Sequence, residues 1–179
     1  MPSLFCEPPK VLDWREPTRE IIVQKISPFL WFDGNAESGG AEEAAEFYVS
    51  LFADSSVDSV SRLPDGSAFG VTFTIDGLTV QAMNAAPAPA FSEATSFFVQ
   101  VNDQSRIDAL WAALTADGGT PGRCGWLVDR FGLSWQIVPP ILGELLGDPD
   151  TARSGRVMQA MLGMGKIEIA GLLAAAEAE

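Results

Sequence analysis

Two glutamines carry the polar chemistry that this sequence visibly arranges. Gln81 lies in Gly77-Leu78-Thr79-Val80-Gln81-Ala82-Met83, and Gln136 in Gly132-Leu133-Ser134-Trp135-Gln136-Ile137-Val138, 55 residues later. Each stretch runs glycine, leucine, a hydroxyl residue, an apolar residue, then glutamine. A side-chain amide offers donors and an acceptor without charge, so it orients a ligand rather than moving a proton. The 179 residues contain no histidine. That excludes histidine acid–base catalysis, Ser-His-Asp triads and histidine metal sites. Cys6 and Cys124 are the only cysteines, so no disulfide framework or cysteine zinc site is readable. Cys124 as a nucleophile would lack a base, and an inert buried thiol is the favoured reading. Asp33, Asp129 and Arg130 fall at the ends of expected strands, where turn and cap roles outweigh catalysis.

The chain carries 24 acids against 11 bases, a net charge of −13. Nucleic acid and anionic membranes are poor partners for such a surface, because backbone binding needs a basic one. The plain reading of the acidity is solubility. Hydrophobic residues at 47% argue for a folded chain, as one domain or two small fused modules. No apolar run reaches the roughly 18 residues that span a bilayer, and the first residues do not read as a signal peptide. A cytoplasmic protein is expected.

The elements that position the glutamines repeat. Residues 1–22, marked by Pro2, Pro8, Pro9 and Pro17, read as an N-terminal extension outside the core. Val23 to Asp33 is an expected strand. Ala41 to Phe52 is a helix whose Ala44, Phe47, Tyr48 and Leu51 share one face. Ser55 to Leu63 is a strand, and Ala68 to Ile75 and Leu78 to Met83 form a hairpin across Asp76-Gly77. Thr95 to Val101 then restarts the pattern. Asp103 is placed to cap a helix whose Ile107, Leu110, Trp111 and Leu114 each lie 63 positions after their counterparts in the first helix. Cys124 to Asp129 and the stretch with Gln136 close the second half. The first strands align at an offset of 68, Ser27-Pro28-Phe29 to Thr95-Ser96-Phe97, which places extra chain near Glu37 to Gly40. Paired modules are therefore read over 23–140 (23–86 and 95–140), with a helical tail over 141–179. In the tail Val157, Met158, Met161 and Leu162 form an apolar stripe, suited to core or dimer contact.

A βαβββ module repeated twice resembles the vicinal oxygen chelate superfamily of glyoxalase I, bleomycin-resistance proteins, extradiol dioxygenases and fosfomycin-resistance enzymes. The resemblance is closest to its PhnB-like branch, often labelled demethylubiquinone methyltransferase-like. Ile26-Ser27-Pro28-Phe29-Leu30-Trp31-Phe32-Asp33-Gly34, Glu42 to Tyr48, Cys124-Gly125-Trp126-Leu127 and Phe131 to Pro139 carry it, with Arg156 to Leu162 in the tail. The fold it implies is α+β, two modules whose curved mixed sheets enclose a concave cavity, followed by C-terminal helices. Its usual metal positions would fall on Pro28, Ser96 and Gln136, with Gln81 as symmetry mate. Neutral amide and hydroxyl oxygens do not replace a divalent ion's hydration, so no metal and no cofactor are expected.

If Gln136 points into the cup, strand alternation places Ser134 and Val138 there too, and by the same logic Gln81, Thr79 and Met83. Leu30 and Phe32 are read on the same side, with Ser96, Phe98 and Gln100. The resemblance puts Trp126 at the wall. The ligand-lining set is Phe32, Gln81, Met83, Ser96, Phe98, Gln100, Trp126 and Gln136. Its aromatic, thioether and amide groups suit a small neutral or aromatic molecule. Core packing remains open for Trp126 and Phe98, and mutual or backbone satisfaction for the glutamines. Three functions stay open: a metal-free binding protein, expected as a homodimer; a metal-dependent lyase, isomerase or dioxygenase of the same superfamily; and a partner-binding module acting through the tail. Literal methyltransferase chemistry would need a glycine-rich nucleotide loop, and the chain has no Gly-x-Gly-x-x-Gly.

Overall fold

A computed structural model describes residues 26–34 and 40–178. The extension over 1–22, the start of the first expected strand and most of the loop near Glu37 to Gly40 lie outside the described residues. The first module is β1 (Phe29–Phe32), α1 (Ala41–Leu51), β2 (Ser56–Arg62), β3 (Ala68–Ile75) and β4 (Leu78–Asn84). The second is β5 (Ser96–Gln100), α2 (Gln104–Thr115), β6 (Thr120–Pro121), β7 (Trp126–Val128) and β8 (Ser134–Val138). Three helices follow: α3 (Pro140–Leu146), α4 (Thr151–Leu162) and α5 (Ile169–Glu177). Each module makes one four-stranded mixed sheet, in the orders β1-β4-β3-β2 and β5-β8-β7-β6. In both, the first strand of the module pairs parallel with its last and the rest pair antiparallel.

Local chemistry sets the repeat. Gly77 and Gly132 open the two matching strands at φ of 77° and 87°, a left-handed conformation that glycine adopts without steric cost. Asp76 precedes Gly77, also at positive φ, and the pair makes the tight turn that suits a twisted hairpin. Asp103 caps α2, its carboxylate accepting from the Arg106 amide. Helix α1 lacks a side-chain cap on Gly40. Instead Asn84, at the end of β4, accepts from the Ala41 amide at 2.8 Å and donates to the Ala68 carbonyl at 3.0 Å. A side chain on Gly34 or Gly40 would collide with Asn84, which explains a glycine on each side of the loop. The short β6 has too few residues to show a period, and the sequence did not reveal it.

The two modules share one core. Tyr48, Phe73, Val80 and Ala44 from the first half meet Ile107, Leu114, Trp135 and Ile137 from the second. Phe52 stacks on Trp135 with ring centroids 6.0 Å apart. The helix-facing sides of both sheets are therefore buried together, and their other sides are left outward. The tail helices form a separate cluster around Val157, Ile167 and Leu172. Residues Met164 to Ile167 attach it to the second module: Cys124 and Gly125 donate to the carbonyls of Met164 and Gly165. Gln104 donates to the Ile167 carbonyl and accepts from the Ile169 amide. Asp150 caps α4, so Pro149 lies just outside the helix. The expected methionine stripe splits, with Val157 buried and Met158 and Leu162 exposed.

Candidate functional site

Register decides which side chains share the outward face of each sheet. In the second sheet Phe98 pairs with Gln136, and Gln136 with Trp126. One row, Phe98–Gln136–Trp126, thus crosses β5, β8 and β7. Ser96 pairs with Ser134, and Gln100 with Val138, on the same face. In the first sheet Phe29 pairs with Gln81, and Gln81 with Thr72. The neighbouring row is Trp31, Met83 and Gly70. Every side chain that these registers put on the outward faces is uncharged. Among the described residues, Asp58 brings a carboxylate to the margin, accepting from the Ser56 and Thr74 hydroxyls at 2.7 and 2.8 Å.

The first strand corrects the sequence reading. Phe32 and Leu30 belong to the core and not to the outward face. Phe32 is 3% exposed, with its ring edge-on to Phe91 and Phe131. Phe29, 58% exposed, and Trp31 take the places assigned to Leu30 and Phe32. The cause is a one-residue slip in matching the two halves. Phe29, not Leu30, corresponds to Phe98, and a shift of one residue turns every side chain of a strand to the opposite face. The same slip moves the counterpart of Ser96 from Pro28 to Ser27.

That corrected match exposes a feature the sequence did not reveal. Gln81 Nε2 donates to Ser27 Oγ at 3.2 Å, and Gln136 Nε2 donates to Ser96 Oγ at 2.8 Å. The two halves repeat a diagonal amide–hydroxyl dyad. The first dyad is exposed, while the second is half-buried beside Phe98 and Trp126. Ser96, Phe98 and Gln100 also line a cavity of about 400 Å³ along the free edge of β5, with Phe52, Leu78 and Trp135. Gln81, Met83, Trp126 and Gln136 lie outside that cavity's lining, on the open faces.

The family described as 3-demethylubiquinone-9 3-methyltransferase has a model that matches residues 24–138, spanning both modules. The chain belongs to this family. It is the PhnB-like branch of the vicinal oxygen chelate superfamily. Among solved structures, the chain is similar to a putative 3-demethylubiquinone-9 3-methyltransferase, PhnB protein, from Bacillus cereus. Identity is 32% and the TM-score 0.57, with 65% of this chain and 99% of that chain covered. It is also similar to a genomically encoded fosfomycin resistance protein, FosX, from Listeria monocytogenes, at 13% identity and TM-score 0.48, covering 69% of this chain and 98% of that chain. None of the curated proteins matches. The family match ends at residue 138, so Arg156 to Leu162, read as part of the resemblance, falls outside it.

The positions where the resemblance would place a metal carry no charged donor in this PhnB-like chain. They hold Ser27, Ser96, Gln81 and Gln136, four neutral donors already bonded in pairs. Among the described residues, no three His, Cys, Asp or Glu side chains come together where they could hold an ion. A divalent cation stripped of water needs carboxylate, imidazole or thiolate compensation. The donor set does not fit a metal.

One residue read as a turn former has a larger part. Asp129 is 2% exposed at the end of β7. Its carboxylate accepts from Tyr48 Oη and Trp135 Nε1, each at 2.8 Å, and from the Phe131 and Leu133 amides at 2.9 and 3.0 Å. Tyr48 comes from α1, so the hub ties the first module to the second. Burial pushes the Asp129 carboxyl above the ordinary aspartate value, against the pull of its four donors. Burial also raises the Tyr48 hydroxyl well above its usual value, with the Asp129 charge adding to the effect. Beside them the Arg130 guanidinium stacks on Phe131 and Phe47 and donates to Glu43. The signal in sequence was Asp129-Arg130-Phe131-Gly132 together with one tyrosine in the whole chain; nothing there showed that they meet.

Proposed function

We propose that this PhnB-like protein binds a small neutral, apolar or aromatic molecule on the outward faces of its sheets, without a catalytic metal, and that a second copy completes the cup. The observation that carries this is the composition of those faces. Among the described residues they combine exposed Phe29, Trp31 and Phe98 with amide, thioether and hydroxyl groups and no charged side chain except Asp58 at the margin. Large apolar side chains clustered on an open face mark a binding surface. An uncharged lining favours a neutral ligand over an ion, because a charged one would lose its hydration without a partner. The two faces point away from their common core, so one chain leaves each half-cup open, and a homodimer supplies the missing wall. No helix among the described residues is long and apolar enough to cross a membrane.

The donor set gives the metal-dependent alternative no support, and the absence of a glycine-rich nucleotide loop gives a literal methyl transfer none. The test is a thermal-shift screen of neutral, anionic and cationic aromatic compounds, with mass in solution measured alongside. Neutral aromatics raise the melting temperature of a dimer, since binding to the native state alone stabilises it. A screen in which only anions or metal ions stabilise, or a strictly monomeric chain, overturns the reading.

A further inference from the structure

The second dyad has a recognition chemistry of its own. Gln136 Nε2 and Ser96 Oγ are 2.8 Å apart and half-buried. If the amide donates to the hydroxyl oxygen, the Gln136 carbonyl is left as an acceptor and the serine proton as a donor. If the amide is turned over, the serine donates to the carbonyl, and the amide protons and the serine lone pairs are left instead. In either orientation the dyad keeps at least one free donor and one free acceptor, with no charge. Register sets Phe98 on one side of Gln136 and Trp126 on the other. A planar group lying along this row meets aromatic surface at both ends and an amide edge at its centre.

We infer that the Ser96–Gln136 dyad, set between Phe98 and Trp126, recognises an uncharged group that pairs a donor with an adjacent acceptor, as a primary carboxamide or lactam carried on an aromatic ring. This rests on the reading of the outward faces as the ligand site. A carboxylate of the same shape has two acceptors and a charge, so it leaves the dyad's acceptor facing an anion in a half-buried site. A ketone satisfies the donor alone. The first dyad, Ser27–Gln81, has the same bonds but is exposed and has Thr72 where the second has Trp126. It competes with water and discriminates little.

The test uses the full chain and four probes: benzamide, acetophenone, benzoate and toluene, with dissociation constants from equilibrium dialysis. Benzamide is expected to bind on the order of tenfold more tightly than acetophenone or benzoate, the effect of one satisfied hydrogen bond. Gln136→Leu and Ser96→Ala bring benzamide to the level of acetophenone without lowering the melting temperature of the free protein by more than a few degrees. Gln81→Leu leaves the preference in place. Toluene and acetophenone binding as well as benzamide overturns the dyad inference while the open-face site stands. A benzamide preference that survives Gln136→Leu also overturns it. Failure of all four probes to bind at millimolar concentration overturns the open-face reading itself.

Discussion

The two modules share a plan and differ in how it is fastened. Both run βαβββ, open their last strand at a left-handed glycine, and set a glutamine diagonally on a serine. The first closes its final hairpin with Asp76-Gly77, an exposed two-residue turn. The second closes it with Asp129 to Gly132, whose aspartate is buried under four donors. The second also carries the tail helices, and Val138 of its outward face packs against them. A duplicated fold can thus keep one half open while anchoring the other. The half-buried dyad sits on the anchored half, where water competes less and a hydrogen bond discriminates more.

Removing the aspartate of each turn is expected to separate the two modules most. Asp129→Ala strands the Tyr48 hydroxyl, the Trp135 indole and two amides in the core, and is expected to cost about 3–5 kcal/mol in urea unfolding. Asp76→Ala, at an exposed turn, is expected to cost about 1 kcal/mol. Equal losses would show that Asp129 is only a turn residue. Tyr48→Phe comes next, at about 1.5–3 kcal/mol, the range for a hydrogen bond to a charged group. A loss near zero would mean that α1 is held by apolar packing alone.

Asp129 also gives the anchored turn a pH dependence. The folded-state pKa of Asp129 is raised above its unfolded value. Its proton-linked stability is therefore fully present below the ordinary carboxylate range and is lost as pH rises through the raised pKa. Asp65 and Asp103, lowered by hydrogen bonds from Ser67 and Ser105, act in the opposite sense and lose theirs as pH falls. Asp129→Asn removes only the first contribution. Its deficit against the unmodified protein is expected to be largest in acid and to narrow as pH rises; a deficit that widens would contradict the raised value. The smallest expected contrast concerns the shared glycines. Gly77→Ala and Gly132→Ala should each cost about 1–2 kcal/mol, the left-handed penalty for a side chain. Neither meets backbone within 4 Å, so unequal losses would reveal a packing difference between the turns.

Much of the fold was legible because it was written twice. The helix faces around Ala44 and Tyr48 and around Ile107 and Leu110 follow the 3.6-residue period, and both are buried. The paired glycine turns announced matching strands. The arrangement of the candidate site was legible in part. Alternation along β8, together with the parallel pairing of β5, put Phe98, Gln136 and Ser96 on one face as expected. Along β1 the same rule failed, because Phe29 to Phe32 are all apolar and offer no alternation to set the phase.

By itself the sequence determined the duplicated α+β plan, the family, and a set of donors without charge or histidine, since these follow from periodicity, residue type and count. Tertiary structure alone decided that Phe29 and Trp31 face outward, that each glutamine lands on a serine, and that Asp129 meets Tyr48 across the modules. Those outcomes depend on strand register and on packing between residues far apart in the chain, and neither leaves a local mark on the order of the amino acids.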